Sequence, residues 1–452
     1  MKISKLHIDQ FRHLGNLDFD FTYPEDFHIE EKRGKPLDKI CFIGQSATGK
    51  TGLLELIYEY SVNTLNLEIL NGNSLWNLKN RIRNKGEVTF LIGDDIFNLK
   101  NSEVFFKNRT YKNDLSNGGS VTSLIPKQDR KDVFYFKANL VSDKNIDFLS
   151  TNPIELIEKH SNELQNIKKD YQYRDKDSFL FNENYGLLFN GDVDTKIWLH
   201  LLVDYLNYRK NFTQKMSELI HKGFINDVNK LSSEFNKWQK DNPNRLESFA
   251  KEFNYILELL NLEVDLVNTE YSVPIKNKRI DEIIPFQDTS TGTKQLLLTS
   301  LPLYSLETKD SIILIDEPER SLYPNIQMEI MDYYKKLASD AQFIVATHSP
   351  FVAASFEPEE RFILYFGKEG KVEVRRGISP IGDDPNDILF NDFGVNYYND
   401  DVQDKFKEYI ELLDKVKSET NKELKKKYLL EASKLGNQYN FILDEKNQER
   451  LQ

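Results

Sequence analysis

A glycine-rich stretch near the start of the chain has the residue types of a loop that holds phosphate. Residues 44–51 read GQSATGKT, so two glycines precede an adjacent lysine and threonine. Glycine lets the backbone approach an anion closely because it has no Cβ, and the N–H groups at a helix start attract negative charge. Lys50 is placed to reach the β- and γ-phosphates of a nucleotide, and Thr51 offers a hydroxyl to Mg²⁺. The alternative interpretation is an ordinary glycine turn before a helix.

Two adjacent acids stand near the end of a second stretch, IILIDEPE at residues 312–319. The apolar run predicts a buried strand, and ligands bind outside the carboxyl ends of such strands in open α/β sheets. Asp316 would hold Mg²⁺, and Glu317 would orient and partly deprotonate an attacking water. Taken alone, the stretch is also compatible with a strand that ends in a solvated acidic turn.

His348 follows another apolar run, in VATHSP at residues 345–350. At that position the imidazole can hydrogen-bond a γ-phosphate or the attacking water, although a histidine at a strand end is commonly just a satisfied polar group. A zinc site is not indicated, because no partner histidine or cysteine lies at ligand spacing.

A turn rich in serine, threonine and glycine, DTSTGTKQLLL at residues 288–298, opens an apolar helix. Ser290 or Thr291 could cap this helix, and its N-terminus could also hold phosphate. All four stretches lie where a strand meets a loop or a loop meets a helix. This shared placement favours one phosphate site over four unrelated turns.

The elements that position these residues are predicted from hydrophobic periodicity. Strands are predicted at 2–11, 17–23, 39–43, 311–315, 342–347 and 361–366 and within 87–141, and helix at 51–65, over 152–263 and after about 384. Alternating strand and helix indicates an α/β fold with a parallel sheet covered by helices. The predicted domains are 1–150, an inserted helical lobe at 151–275, 276–383, and a helical tail at 384–452.

The composition limits the class of protein. The chain has 452 residues and a net charge of −12, so any contact with nucleic acid is expected to be local. Cys41 is the only cysteine, which excludes an internal disulfide and suits a reducing compartment. The N-terminus lacks the apolar core of a signal peptide, and no apolar run approaches the length of a membrane span. A cytoplasmic protein that makes no membrane contact is therefore expected.

In their order along the chain, the four stretches resemble the motifs of a known class of ATPases. The chain resembles the ATP-binding-cassette class of P-loop ATPases, in the soluble branch that contains Rad50, RecF and SMC proteins. GQSATGKT resembles Walker A, IILIDE Walker B, STGTKQ the signature motif and ATHSP the switch-histidine loop. The resemblance covers roughly residues 1–140 and 280–370. It implies an α/β ATPase head with a mixed sheet and flanking helices, an inserted helical lobe and a helical C-terminal tail.

The resemblance also implies roles for individual residues. In that class ATP and Mg²⁺ lie between two copies of the chain, and the loop of one copy faces the signature motif of the other. The implied residues of the first copy are Arg12, Gly44, Ala47, Thr48, Gly49, Lys50 and Thr51 at the nucleotide, Thr51 and Asp316 at the metal, and Glu317 and His348 as catalytic groups. The second copy would contribute Ser290, Gly292 and Thr293.

The sequence departs from the family pattern at three places. Tyr323 stands where the family usually has histidine, which leaves the part this loop plays in the dimer contact open. Thr291 stands where transporters have glycine. A glutamine loop should lie within residues 87–141, and Asn139 is the candidate there.

Further stretches resemble bacterial defence ATPases. DEPERSLYPNIQ and THSPFVAASF are similar to their acidic and histidine loops. GDDPNDILFNDFGV with the charged tail resembles the ATPase subunit of Septu and of retron-linked Septu-like systems, and the ATPase of the PARIS anti-phage system is a close alternative. The resemblance implies an ATP-dependent sensor or scaffold that holds a separate nuclease or Toprim-type toxin. It further implies dimers or rings of dimers, and DNA or a phage protein as the trigger.

Two other functions stay open on the sequence alone. A DNA-repair ATPase that binds DNA ends is the first, because a modest basic patch could contact phosphates. The patch consists of Lys79, Arg81, Arg83 and Lys85, although a solvated charged face is the simpler interpretation. An assembly protein with an inactive nucleotide site is the second, and the intact Lys50, Asp316 and Glu317 argue against it.

Overall fold

The computed structural model describes residues 1–72, 74–76, 85–113, 119–173, 185–268, 270–395, 399–439 and 441. The strands are β1 (Lys2–Phe11), β2 (Leu14–Asp20), β3 (Lys39–Gly44), β4 (Glu68–Leu70), β5 (Ser74–Leu75), β6 (Gly86–Ile92), β7 (Asp95–Lys100), β8 (Glu103–Phe106), β9 (Arg109–Asn113), β10 (Val121–Ser123), β11 (Val133–Phe136), β12 (Gly186–Phe189), β13 (Leu262–Val264), β14 (Ile275–Asn277), β15 (Glu282–Ile284), β16 (Ile312–Asp316), β17 (Gln342–Ala346), β18 (Arg361–Phe366) and β19 (Val372–Arg376). The helices are α1 (Lys50–Leu65), α2 (Asp143–Ser150), α3 (Pro153–Lys159), α4 (Ser161–Tyr173), α5 (Thr195–His221), α6 (Val228–Asp241), α7 (Arg245–Leu257), α8 (Thr291–Ser305), α9 (Pro324–Leu337), α10 (Pro350–Ala353), α11 (Pro385–Asn391), α12 (Asp400–Ser418) and α13 (Lys422–Tyr439). The chain divides into two compact units, Met1–Gly382 and Asp383–Gln452.

A mixed sheet at the centre of the first unit carries the stretches predicted to do chemistry. Within the described residues it has the strand order β12-β11-β16-β17-β3-β18-β19. All neighbours from β12 to β18 are parallel, and β19 adds an antiparallel edge. Strands β3, β16 and β17 are almost entirely buried, as their continuous apolar runs predict for strands covered on both faces. The predicted α/β class with a mixed sheet is confirmed.

A second sheet covers helix α1 from the other side. In the described part of the chain its order is β10-β4-β5-β9-β8-β7-β6-β1-β2. Helix α1 packs on β3, β11, β16 and β17, and its apolar residues share one hydrophobic cluster with strands of both sheets. Because each fully buried leucine stabilises the fold by about 1.5–3 kcal/mol, α1 is held firmly on two faces. Its first turn, which carries Lys50 and Thr51, is thereby fixed against the central sheet.

The segment predicted to be helical from 152 to 263 contains helices α3 to α7 but differs in two places. Strand β12 lies within it and pairs in parallel with β11 at the edge of the central sheet. Its four residues, GLLF, are too few for periodicity to separate a strand from a buried helical turn. Strand β13 begins at Leu262 and forms a small antiparallel sheet with β14 and β15.

The second unit is helical in its described residues, as predicted for the tail. Helices α12 and α13 pack as a hairpin around Phe406, Tyr409, Leu413 and Ala432. Across both units, none of the described helices combines the length and the apolar character that crossing a membrane requires.

Candidate functional site

The carboxyl ends of three adjacent parallel strands bring the predicted residues to one edge of the central sheet. Strand β17 lies between β3 and β16, with Val345 opposite Cys41 and Ala346 opposite Asp316. The loop after β3 is residues 44–51, and His348 follows β17 by two residues. Three of the four predicted stretches therefore meet within one chain, as the sheet topology rule for ligand sites requires.

The backbone of the glycine-rich loop explains both of its glycines. Gly44 has φ +152° and Gly49 has φ +94°, values in the region that favours glycine. A Cβ at Gly44 would lie 2.2 Å from the carbonyl oxygen of Leu364, and one at Gly49 would lie 2.9 Å from Leu14 Cδ2. Within the loop, Ala47 has φ +67° and is exposed. Positions 44 and 49 therefore require glycine, because a side chain there would clash with Leu364 or Leu14 and would strain the backbone.

The buried Thr48 closes this loop on itself, since its hydroxyl donates to the carbonyl oxygen of Gln45 at 2.8 Å. Lys50 does the same with its ammonium group, which donates to the carbonyl oxygens of Gly44 at 2.7 Å and Gln45 at 2.9 Å. Burial lowers the pKa of Lys50 to about 8, against the opposing charges of the nearby acids Asp316, Glu317 and Glu319. The charged form of Lys50 is therefore destabilised by desolvation inside the loop, and an anionic ligand beside it would stabilise that form.

Thr51 and Asp316 form the direct link between the loop and strand β16. The Thr51 hydroxyl donates to the Asp316 carboxylate, 3.0 Å from Oδ2 and 3.3 Å from Oδ1. Burial raises the pKa of Asp316 to about 6, although the hydrogen bond from Thr51 opposes the shift. A hydroxyl and a carboxylate are the hard oxygen donors that Mg²⁺ prefers, so these two residues fit that ion. Mg²⁺ bound there would neutralise phosphate charge.

Glu317 and His348 lie beyond this pair, just after the neighbouring strands β16 and β17. Glu317 has φ +52°, an uncommon value for a residue with a side chain, and its backbone N–H donates to the carbonyl oxygen of Ala346 at 2.9 Å. Partial burial and the charge of Lys50 lower the pKa of His348, which favours the neutral imidazole. A neutral ring nitrogen can accept or donate a hydrogen bond at a reacting water.

Two residues of the DEPERSLYPNIQ stretch hold the histidine loop, and sequence reasoning did not assign them this role. The carboxylate of Glu319 accepts a hydrogen bond from the backbone N–H of His348 at 2.8 Å, and burial raises the pKa of this carboxyl group. Gln327 accepts from the hydroxyl of Ser349 at 2.6 Å and donates to the carbonyl oxygen of Leu322 at 2.7 Å. The glutamate and glutamine of this motif thus fix the position of His348.

Arg12, the predicted phosphate contact, forms an ion pair instead of lying free. Its guanidinium Nη2 is 2.6 Å from Oε2 of Glu55, and the other oxygen of Glu55 accepts from Lys137 Nζ at 3.0 Å. Neither Glu55 nor Lys137 was anticipated from the sequence. One signal was present: Glu55 follows Thr51 by four residues, which places both on one face of α1.

The signature stretch begins helix α8 and presents its first residues to solvent. Ser290 caps the helix by accepting a hydrogen bond from the Thr293 backbone N–H at 3.1 Å, and the two hydroxyl oxygens are 2.9 Å apart. Ser290 and Thr291 are exposed, whereas Thr293 is buried. A Cβ at Gly292 would lie 2.4 Å from the carbonyl oxygen of Ser321. Of the three residues predicted to contribute from a second copy, Ser290 is therefore exposed, whereas Gly292 and Thr293 are buried in their own chain.

Other predicted residues lie away from the loop or outside the described part of the chain. Tyr323 is 72% exposed at the start of α9. Asn139, the candidate for the glutamine loop, lies beside Gly191, where an added Cβ would be 3.0 Å from its carbonyl oxygen. Of the proposed basic patch, Lys79, Arg81 and Arg83 lie outside the described residues. Lys85 pairs with Glu59 at 3.1 Å.

Comparison with known proteins adds a family and several similar folds. No curated protein matches the chain. Among solved structures, the chain is similar to an SMC head bound to the C-terminal winged-helix domain of ScpA, with 12% identity, a TM-score of 0.39, and coverage of 83% of this chain and 97% of that one. It is also similar to the SMC head domain with an extended coiled coil bound to the C-terminal domain of ScpA from Pyrococcus furiosus (14%, 0.36, 83% and 96%) and to the SMC head domain from Thermotoga maritima (12%, 0.37, 84% and 100%). The model of the AAA ATPase domain family, AAA_15, matches residues 1–353, so the chain belongs to this family and is an ATPase.

Proposed function

We propose that two copies of this chain close around ATP and hydrolyse it between them. The observation that carries this proposal is that three of the predicted stretches meet in one chain, whereas the signature serine stays exposed on its own helix. The loop, Asp316 and His348 meet at one sheet edge, whereas the hydrogen bonds of the exposed Ser290 go to Thr293 in its own helix. A second copy would bring its Ser290 and Thr291 to the ligand held by the first.

The described contacts support a role for each group in the proposed reaction. The N–H groups of the loop and Lys50 would bind the phosphates, and Thr51 and Asp316 would hold Mg²⁺. Glu317 would orient the attacking water and take its proton, while the neutral His348 would hydrogen-bond the γ-phosphate or that water. Because ATP favours the closed dimer and its hydrolysis removes that preference, the cycle switches the chain between two assembly states.

We further propose that the cycle controls a separate effector in an anti-phage complex. A nuclease or Toprim-type toxin would be a second protein, as in the anti-phage systems that the chain resembles. The Glu319 and Gln327 contacts give the defence-like DEPERSLYPNIQ stretch a physical purpose, since they hold the histidine loop. The single cysteine suits action in the cytoplasm. Rings of dimers and a trigger of DNA or phage protein belong to the same proposal.

A complementation experiment tests the composite site. Lys50→Met removes the loop cation, and Ser290→Arg blocks the signature face, so each variant alone should lose ATP hydrolysis. In a mixed dimer one of the two sites combines both defects and the other is intact. An equimolar mixture should therefore recover about a quarter of wild-type activity, as expected for random pairing across a two-fold interface. A mixture as inactive as its components would contradict the shared site.

Two further measurements separate catalysis and partner choice. Glu317→Gln should keep ATP binding and stop turnover, and ultracentrifugation should find this variant as a dimer in ATP. Glu369→Gln changes an acid that is 78% exposed and paired with Lys371, so it serves as the matched control. Hydrolysis by Glu317→Gln at the wild-type rate would rule out the assigned base.

A second measurement tests the DNA-repair alternative. Stimulation of wild-type hydrolysis by DNA ends, without co-purification of an effector, would favour that alternative.

A further inference from the structure

One carboxylate beside the loop binds two cations that come from different parts of the fold. Glu55 lies on α1, one helical turn after Thr51. Its Oε2 is 2.6 Å from Arg12 Nη2, in the turn between β1 and β2, and its Oε1 is 3.0 Å from Lys137 Nζ, just after β11. Each carboxylate oxygen therefore holds one positive charge.

Both cations lie next to residues of the nucleotide site. A Cβ at Gly52 would be 3.4 Å from Arg12 Nη1, so the guanidinium rests against the first turn of α1. Phe136 of β11 is opposite Ile315 of β16, which places Lys137 beside Asp316 at the carboxyl edge of the sheet. The Arg12 guanidinium therefore lies against the first turn of α1, and the backbone of Lys137 lies beside Asp316 at the edge of the sheet.

The side chains of the bridge that Glu55 forms with Arg12 and Lys137 are partly exposed to solvent. The side chain of Glu55 is 24% exposed, that of Lys137 30% and that of Arg12 57%. Burial alone would raise the pKa of Glu55, but the hydrogen bonds from Lys137 and Arg12 hold it below its ordinary value. Such half-exposed ion pairs are modest in strength, so a polyanion that approaches the same cations can compete for them.

We propose that Glu55 is an internal counter-ion that occupies Arg12 and Lys137 in the ligand-free protein and yields them to the phosphates of ATP. Lys137 is then a further phosphate-binding residue, positioned by its strand next to Asp316. The inference rests on the proposed nucleotide site, because it assigns the released cations to the ligand of that site. The competing explanation is structural: the bridge only ties β11 and the β1–β2 turn to α1.

Nucleotide affinity measured on the full chain distinguishes the two explanations. Glu55→Gln removes the competing charge and keeps an oxygen acceptor of the same shape, so ATP should bind about five- to tenfold more tightly at low salt. The gain in affinity should be smaller for ADP and smallest for AMP. It should also fall in about 0.5 M salt, where the Debye length is about 4 Å and charges are strongly screened. Glu59→Gln is the matched control, because Glu59 lies one turn further along α1 and pairs with Lys85. Its affinity should match wild type.

Variants of Lys137 test the second half of the proposal. Lys137→Met should weaken ATP binding about tenfold, while Lys137→Arg should keep most of it, because the charge remains. If Glu55→Gln fails to fold, the comparison of Lys137→Met with Lys137→Arg tests the proposal. The loss of affinity in Lys137→Met should then be larger for ATP than for AMP. If the bridge is purely structural, Glu55→Gln and Lys137→Met should each weaken the binding of ATP, ADP and AMP by the same factor.

Each failure has its own signature. If wild type binds ATP normally and Glu55→Gln binds it no more tightly than Glu59→Gln, the counter-ion proposal is wrong and the proposed function still stands. Equal loss for ATP and AMP in Lys137→Met overturns the role of that lysine. No ATP binding by wild type, or undiminished binding by Lys50→Met, overturns the proposed function and this inference with it.

Discussion

Replacing Lys50 by methionine should abolish nucleotide binding and yet stabilise the ligand-free protein at neutral pH. The ammonium group is buried, and burial lowers its pKa from 10.5 to about 8. Each unit of pKa shift corresponds to 1.36 kcal/mol, so holding the charge costs the folded state about 3 kcal/mol at pH 7. The lost bonds to the carbonyl oxygens of Gly44 and Gln45 offset about 1–2 kcal/mol of this. A net gain of about 1–2 kcal/mol remains for Lys50→Met.

The sign of the pH dependence follows from the lowered pKa. Between pH 8 and pH 10.5 the unfolded chain binds a proton at this lysine that the folded chain does not, so wild-type stability rises with pH from this group. The cost of the charge falls from about 3 kcal/mol at pH 7 to about 2 at pH 9 and about 1 at pH 10. The advantage of Lys50→Met should therefore shrink and reverse over this range.

Urea unfolding monitored by tryptophan fluorescence provides the assay. The three tryptophans of the chain are Trp76, Trp198 and Trp238, and all belong to the first compact unit, 1–382. Lys144→Met is the control, because Lys144 is half-exposed and makes a surface ion pair with Asp192. A Lys50→Met protein that is less stable than wild type at pH 7, or a difference that does not change between pH 7 and pH 10, would refute the reasoning.

Three further outcomes are expected. Gly49→Ala should destabilise the first unit by about 1–3 kcal/mol and weaken nucleotide binding, because φ is +94° and the new Cβ would lie 2.9 Å from Leu14; urea unfolding and a binding titration check both. Asp316→Asn should stabilise the ligand-free protein at pH 7 by about 3 kcal/mol, since burial raises the pKa of this carboxyl from 3.8 to about 6. The wild-type cost begins where the unfolded carboxyl ionises, above its pKa of 3.8, and is complete only above the folded pKa of about 6. The gain measured by unfolding should therefore fall to about half at pH 5. Glu319→Ala should lower the turnover number about tenfold at nearly unchanged ATP affinity, because His348 loses the acceptor of its backbone N–H; Glu319→Gln, which keeps an acceptor, should lie close to wild type in the same assay.

The central sheet and the meeting of the chemical stretches were predictable from local pattern. Continuous apolar runs at 39–43, 311–315 and 342–347 indicated strands buried on both faces. Carboxyl ends of parallel strands share one edge of a sheet, so the stretches that follow these runs had to converge. No long-range information was needed for that inference. Gly44 and Gly49 were predicted from the need for close backbone approach to phosphate, and the structure gives both a positive φ that favours glycine.

Contacts that depend on long-range register were beyond the sequence. Arg12, Glu55 and Lys137 are far apart along the chain, and only the pairing of β11 with β16 and the packing of α1 bring them together. The bond between Gln327 and Ser349 likewise joins a helix to a loop that follows a different strand. Strand β12 was missed for a different reason, because a four-residue apolar run carries no period.

The positive and hydroxyl groups proposed to bind the nucleotide have partners inside the protein. Lys50 donates to loop carbonyls, Thr51 donates to Asp316, and Arg12 pairs with Glu55. Binding of phosphate is therefore an exchange of partners, and the affinity is the difference between two sets of charged hydrogen bonds. Exchange predicts opposite signs for the two members of one pair: removing the cation should weaken ATP binding, and removing its internal acceptor should strengthen it. A pocket that simply gains contacts on binding predicts no such reversal at Glu55.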